Sequence, residues 1–250
     1  MGRVKQSDAF RLLTINAATM FVTDASGRMV RQNDPEHSAA PLMHFSGCET
    51  GNRFLLRSDI SVPVAQQISA LVAREPPFAE LGARPLFLDR YRELLGLDTP
   101  VPERSFAQIH HLPRGLSFEH HATMVKQGTA EGDALFAELK RHGVGAALRA
   151  MGFADVSHFW EPWCVALVRG DIAAIAFAAR LGKTGAEIGV ATLPAYRGRK
   201  LAPAVTVGWS SLPQLGARAL FYSTTRDNTA SQNVIARLGL PLVGVSVRLG

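Results

Sequence analysis

The stretch Gly189-Val190-Ala191-Thr192-Leu193-Pro194-Ala195-Tyr196-Arg197-Gly198-Arg199-Lys200-Leu201-Ala202 decides how this chain reads. It begins within a strand, Ile188 to Leu193, made of small and β-branched residues. Pro194 stops that strand, because proline cannot donate to a ladder. A basic turn holding Gly198 follows, and Leu201-Ala202-Pro203-Ala204-Val205 opens a helix. Pro203 is tolerated there, since the amides of a first turn have no partners to lose. Strand, basic turn and helix N-terminus together make an anion site. Free amides and the positive end of the helix converge on one spot, where Arg197, Arg199 and Lys200 add full charges. A pyrophosphate fits that description. The spacing is neither G-x-x-x-x-G-K-[ST] nor G-x-G-x-x-G, so ATP and NAD are not indicated.

Working outward, a strand over Ala219 to Ser223 leads to a second stretch, Arg226-Asp227-Asn228-Thr229-Ala230-Ser231-Gln232-Asn233-Val234-Ile235-Ala236-Arg237-Leu238-Gly239-Leu240. Asp227 or Asn228 is a natural N-cap and Gly239 a left-handed C-cap.

The two stretches resemble the GCN5-related N-acetyltransferase (GNAT) superfamily. Its pattern P-x-Y-R-G-x-G-L-A reads here from Pro194 to Ala202, and its N-x-x-S/A helix ending in L-G-F reads from Asn228 and Ser231 to Leu238-Gly239-Leu240. The resemblance covers roughly the last 130 residues, an ordinary domain size. It implies a mixed α/β (α+β) fold, a largely antiparallel central sheet flanked by helices, with acetyl-CoA as cosubstrate and no metal. The cofactor-binding residues it implies are Val190, Ala191, Thr192, Arg197, Gly198, Arg199, Lys200, Leu201, Ala202, Asn228 and Ser231. One amide of the Val190 to Leu193 strand is the implied oxyanion donor. Three departures stand out. Lys200 replaces a glycine that lets backbone approach the pyrophosphate. Ile235 stands where many relatives carry a tyrosine that protonates the leaving thiolate. The sheet also lacks a strand, because only Leu242 to Leu249 follows the last helix; the N-terminal unit or a partner chain is left to supply the other.

The chain has 250 residues, 47% hydrophobic and 19% charged, which is globular and long enough to bury a substantial core. A net charge of +6 raises the question of nucleic acid. However, the arginines are scattered with no Lys/Arg run, which favours steering of an anionic ligand such as CoA. Cys48 and Cys164 lie far apart, as in a reduced cytoplasmic protein. No apolar run approaches the ~20 residues a membrane span needs. Phe10 to Val22 resembles a leader only faintly, being interrupted by Arg11, Thr14 and Asn16 with no small-residue cleavage site after it.

The first hundred residues read as a small α+β unit matching no family. Ser7 to Ala17 is helical, and Met20 to Thr23 with Arg28 to Arg31 form a hairpin. Leu42 to Ser46 and Arg53 to Arg57 form a second strand pair. Ser61 caps a helix, and Leu86 to Leu95 forms another. The linker signals Asp98 to Glu103 and Pro113-Arg114-Gly115 place a boundary between an N-terminal domain, 1–112, and an acetyltransferase domain, 113–250. The second domain starts with a strand over Glu119 to Lys126, then a helix capped by Thr129, then strands Cys164 to Val168 and Ile172 to Arg180.

The expected activity is acetyl transfer from acetyl-CoA to an amine by direct attack in a ternary complex, driven largely by positioning. A CoA-binding regulatory domain without turnover is the alternative. The catalytic candidates are Glu187 as base, against a strand-end carboxylate in an ion pair, and Tyr222 or Ser223 as acid. His110, His111, His120 and His121 lack the helical spacing of a metal site. Trp160, Glu161 and Trp163 read as core or as acceptor pocket. The acceptor stays open, as does a homodimer; the N-terminal unit is a lid, an acceptor site or a dimer interface.

Overall fold

The computed structural model describes residues 2–250. The chain opens with helix α1 (Gln6–Met20), the hairpin β1 (Phe21–Thr23) and β2 (Met29–Gln32), the strand pair β3 (Met43–Cys48) and β4 (Gly51–Leu56), and helices α2 (Val62–Val72) and α3 (Leu88–Leu94). Strands β5 (Phe106–His111) and β6 (Thr123–Lys126), helices α4 (Ala130–His142) and α5 (Ala146–Ala150), and strands β7 (Trp163–Val168), β8 (Asp171–Leu181) and β9 (Gly185–Thr192) follow. Helix α6 (Leu201–Ser210), β10 (Ala219–Thr225), α7 (Thr229–Leu238) and β11 (Leu242–Leu249) complete the chain.

Nine of the strands form one sheet in the order β4-β3-β11-β5-β10-β9-β8-β7-β6. Among the described residues only β9 and β10 run parallel in it, as a strand–helix–strand crossover requires. The fold is therefore a mixed α/β one, with a largely antiparallel sheet between helices. Helices α6 and α7 bury Val205, Trp209 and Ile235 against one face, where α2 and α3 cover the far end with Ile68 and Tyr91. Helices α1, α4 and α5 cover the other face through Leu13, Phe136 and Leu148. This pattern follows from strand alternation: even residues of β9 face α6, and odd ones face α1 and α5.

Local chemistry sets the helix ends. Thr129 Oγ1 accepts from the Gly132 amide at 3.1 Å and caps α4, whose first turn carries Glu131 and Asp133. Asn228 Oδ1 accepts from the Ser231 amide at 3.0 Å and caps α7, and Gly239 closes it at φ 61°.

Two expectations change. The strand expected over Glu119 to Lys126 is only Thr123–Lys126, because its β7 partner turns away at Arg169 just beyond the Thr123–Leu167 pair. The missing strand is β5. It lies antiparallel between β10 and β11, with Tyr222 opposite His110 and Val247 opposite Phe106. The sheet thus runs unbroken across the 112/113 boundary, with β3, β4 and β5 drawn from the first 112 residues.

Candidate active site

The site starts where two strands part. Gly185, Ala186 and Glu187 of β9 pair with Ala219, Leu220 and Phe221 of β10, and the pairing ends there. Beyond it β9 stays with β8 as far as Thr192, while β10 stays with β5 as far as Thr225. The strands open as a V. The Leu193 amide donates to Ala173 O at 2.9 Å, so by antiparallel alternation the amides of Val190 and Thr192 face the gap.

A cleft of about 540 Å³ occupies that gap. Val190, Ala191 and Thr192 form one wall and Tyr222 lies opposite. Arg197, Gly198, Lys200, Leu201 and Ala202 ring its end at the start of α6. Asn228 and Ser231 of α7 close the third side. The structure therefore brings ten of the eleven expected cofactor residues to one cleft. The exception is Arg199, whose guanidinium sits over the Tyr196 ring at 5.1 Å and not on the cleft wall. Lys200, which replaces the expected glycine, holds φ 61° and ψ 21°, the left-handed conformation glycine adopts without strain. Asn233 and Arg237 also line the cleft and escaped the sequence reading. Asn233 and Arg237 are four apart and share a face of α7 with Ala230, not the spacing set by Asn228 and Ser231, so the motif residues alone did not point to them.

Tyr222 is 4% exposed, and burial raises its hydroxyl pKa while the Ser231 hydroxyl beside it acts the other way. Ile235 is packed in the core behind α7. Two phenols thus line the cleft: Tyr222 opposite the β9 wall, and Tyr196 in the basic turn, whose ring lies under Arg199.

Glu187 sits at the vertex of the V under α1. Its Oε1 accepts from the Ser223 amide at 2.6 Å and its Oε2 from Asn16 Nδ2 at 3.2 Å. Burial pushes its pKa up to about 7, against the bond from the Ser223 amide and the charges of Arg248 and Arg180. The ion-paired strand-end carboxylate is not what forms: the buried ion pair of this region joins Arg180 to Asp34 at 3.3 Å. Ser223 Oγ is buried without a hydrogen-bond partner.

A second chamber of about 260 Å³ shares Met151, Val190 and Ala191 with the cleft. Its other lining residues include Glu36, His158, Trp160 and Phe177. The Phe177 ring lies across Gly189, its cross-strand partner, where an added Cβ would come within 2.5 Å. Trp160 faces this chamber, whereas Trp163 is core. Glu36 lies in a loop and His158 ends a single 3-10 turn, Val156–His158, so no periodicity marks them.

Among the described residues no group of three or more His, Cys, Asp or Glu is placed to hold a metal. Cys48 and Cys164 are separate buried thiols, and burial pushes Cys164 up to about 12. Among the described residues no helix is long and apolar enough to cross a membrane.

No protein-family model and no curated protein matches the chain. Solved structures do. A GCN5-related N-acetyltransferase from Kribbella flavida is 16% identical, over 99% of this chain and 95% of that one, with a TM-score of 0.47. A GNAT-family structure from Novosphingobium aromaticivorans is 16% identical, over 57% of this chain and 62% of that one, with a TM-score of 0.41. The yncA protein of Salmonella typhimurium, solved with its cofactor acetyl-CoA, is 16% identical, over 52% of this chain and 95% of that one, with a TM-score of 0.32. At such identities and scores the roles of this chain's residues rest on its own geometry.

Proposed function

We propose that the chain is a GNAT-type acetyltransferase that moves acetyl from acetyl-CoA to an amine within a ternary complex. The observation that carries this reading is the single cleft at the β9/β10 vertex, into which both sequence motifs project. The α6 N-terminus with Arg197 and Lys200 receives the pyrophosphate. The pantetheine arm lies between the strands, and the amide of Val190 or Thr192 faces the developing oxyanion.

The chemistry balances with groups of this chain. The neutral amine nitrogen attacks the thioester carbonyl carbon, forming the C–N bond and a tetrahedral oxyanion. Collapse breaks the C–S bond. Tyr222 protonates the departing thiolate, and the proton lost by nitrogen passes to Glu187, whose pKa near 7 suits that task at neutral pH. Ser223 Oγ, unpartnered beside that carboxylate, is the relay. The N-terminal 112 residues form an accessory unit that completes the sheet and covers the vertex, and the separate free thiols Cys48 and Cys164 agree with a cytoplasmic setting.

Calorimetric titration with acetyl-CoA tests the cofactor half. Micromolar binding should weaken ten-fold or more, about 1.4 kcal/mol, in Arg197→Ala. Absence of heat with any acyl-CoA overturns the reading. A CoA-binding regulator without turnover is the second reading, favoured by Ile235 at the usual acid position; CoA binding without free-thiol release across an amine panel would select it.

A further inference from the structure

The 260 Å³ chamber behind the V carries its own chemical signature. It is smaller than the ~300–1,000 Å³ typical of drug-sized ligands, so it admits one compact group. Its walls are aromatic. Trp160 and Phe177 meet edge to face at 5.6 Å and 77°, and Phe153 meets Phe177 at 5.5 Å and 82°. Such rings present faces and edges to a further ring, and their faces attract a cation.

The polar equipment is sparse. Glu36 is the one carboxylate lining the chamber. His158 Nδ1 accepts from the Ala154 amide at 3.2 Å, so the neutral ring carries its proton on Nε2 and offers a donor, not a base. A trough of about 810 Å³, sharing Trp160, leads in from the surface between the 31–37 loop and α4. Asp155 and Glu161 line it with Arg31 and Lys140, and Lys140 Nζ is held 4.6 Å above the Phe136 ring.

This inventory separates amine classes. A polyamine needs carboxylates spaced along its length; the chamber has one, and in the trough Asp155 already accepts from the Ser157 amide at 2.8 Å while Arg31 and Lys140 add like charges that repel a polycation. A lysyl or N-terminal peptide would bring backbone amides against ring faces that cannot hydrogen-bond them. A single ring bearing a short aminoalkyl arm fills the volume, stacks on Trp160 and leaves its ammonium for Glu36.

We propose that this chamber is selective for a compact primary amine carried on one aromatic ring, with Trp160 the specificity-determining residue and Glu36 the partner of the ammonium. The assignment of the amine as acetyl acceptor rests on the acetyltransferase reading, but its binding does not. The experiment is therefore a direct titration of the CoA-free protein with phenethylamine, spermidine and a lysine-containing peptide, followed by tryptophan fluorescence and calorimetry. Phenethylamine should bind at least ten-fold tighter than either rival. Trp160→Ala and Glu36→Gln should each weaken it ten-fold or more, with the acetyl-CoA dissociation constant unchanged. Equal or tighter binding of spermidine or peptide, or unaltered phenethylamine affinity in Trp160→Ala, overturns the proposal even where acetyl-CoA binds normally. Phenethylamine binding with these variant effects, in a protein that ignores acetyl-CoA, would uphold the chamber and sink the transferase reading instead.

Discussion

The Ser223 amide donates to Glu187 Oε1 at 2.6 Å, at the point where β9 and β10 stop pairing. A carboxylate thus takes the place of the next ladder acceptor and terminates the parallel pair. The same contact places a group whose pKa is pushed up to about 7 at the vertex of the V, buried under α1 behind the cleft wall.

Glu187 ties stability to pH with a defined sign. Its folded pKa of about 7 lies above the 4.5 of the free group, so the folded state holds the proton more tightly. Its contribution, of order 3 kcal/mol, is fully present below pH 4.5 and is lost as pH rises through 7. Glu187→Gln keeps an acceptor for the Ser223 amide and should flatten urea-measured stability between pH 5 and 8. In the wild type kcat should rise through pH 7 as the base ionises, and the variant should lose that limb with about a 10²-fold lower rate. An unchanged pH–rate profile would remove Glu187 from the mechanism.

Tyr222→Phe should keep the fold and the acetyl-CoA affinity while lowering kcat by about 10²-fold, because the cleft loses the phenol opposite the β9 wall and keeps only Tyr196, in the basic turn. Thiol release under single-turnover conditions reads this directly. A rate within two-fold of wild type, roughly 0.4 kcal/mol, would show that water protonates the thiolate.

Lys200 holds a left-handed backbone that costs a side-chain-bearing residue about 1–2 kcal/mol. Glycine would relieve it, partly offset by the ~0.4–1 kcal/mol of extra freedom gained by the unfolded chain. Lys200→Gly should therefore stabilise by up to about 1 kcal/mol, a Tm rise of roughly 2–4 °C. It should also weaken acetyl-CoA binding through the lost charge. A drop in Tm would mean that the lysine side chain makes a compensating contact.

Removing residues 1–112 takes away β5 and exposes the facing edges of β10 and β11, together with Phe221 and Val243 that α1 covers. Open edges of that kind pair with other chains. The 113–250 fragment should be aggregated or show no cooperative melt by circular dichroism. A soluble, cooperatively melting fragment would establish that the boundary separates autonomous domains.

The two motifs were legible because their constraints are local. Pro194 ends a strand, Asn228 caps α7 and Gly239 closes it, each through bonds within a few residues. Within a residue or two, the β7–β8 hairpin and β10 also fell where periodicity placed them. What stayed hidden depends on distant chain. Nothing near Phe106–His111 says that it pairs with β10 and β11, more than a hundred residues on. Glu187 read as a base or as an ion-paired strand-end carboxylate because Asn16, which helps bury it, lies 171 residues away. Glu36 and His158 became neighbours of one chamber only through tertiary packing of a loop against a single 3-10 turn.

The placement of β5 between two strands made from the last 32 residues also sets the order in which the molecule assembles. On the ribosome, β5 emerges long before either of its neighbours and has to wait with both edges open. The β4-β3 pair cannot join the rest of the sheet until β11 is released, so closure is a late, non-local event, slowed by the sequence separation it bridges. A nascent chain stalled before Leu242 is thus the species most exposed to mispairing, and the final eight-residue strand acts as a latch on the whole fold.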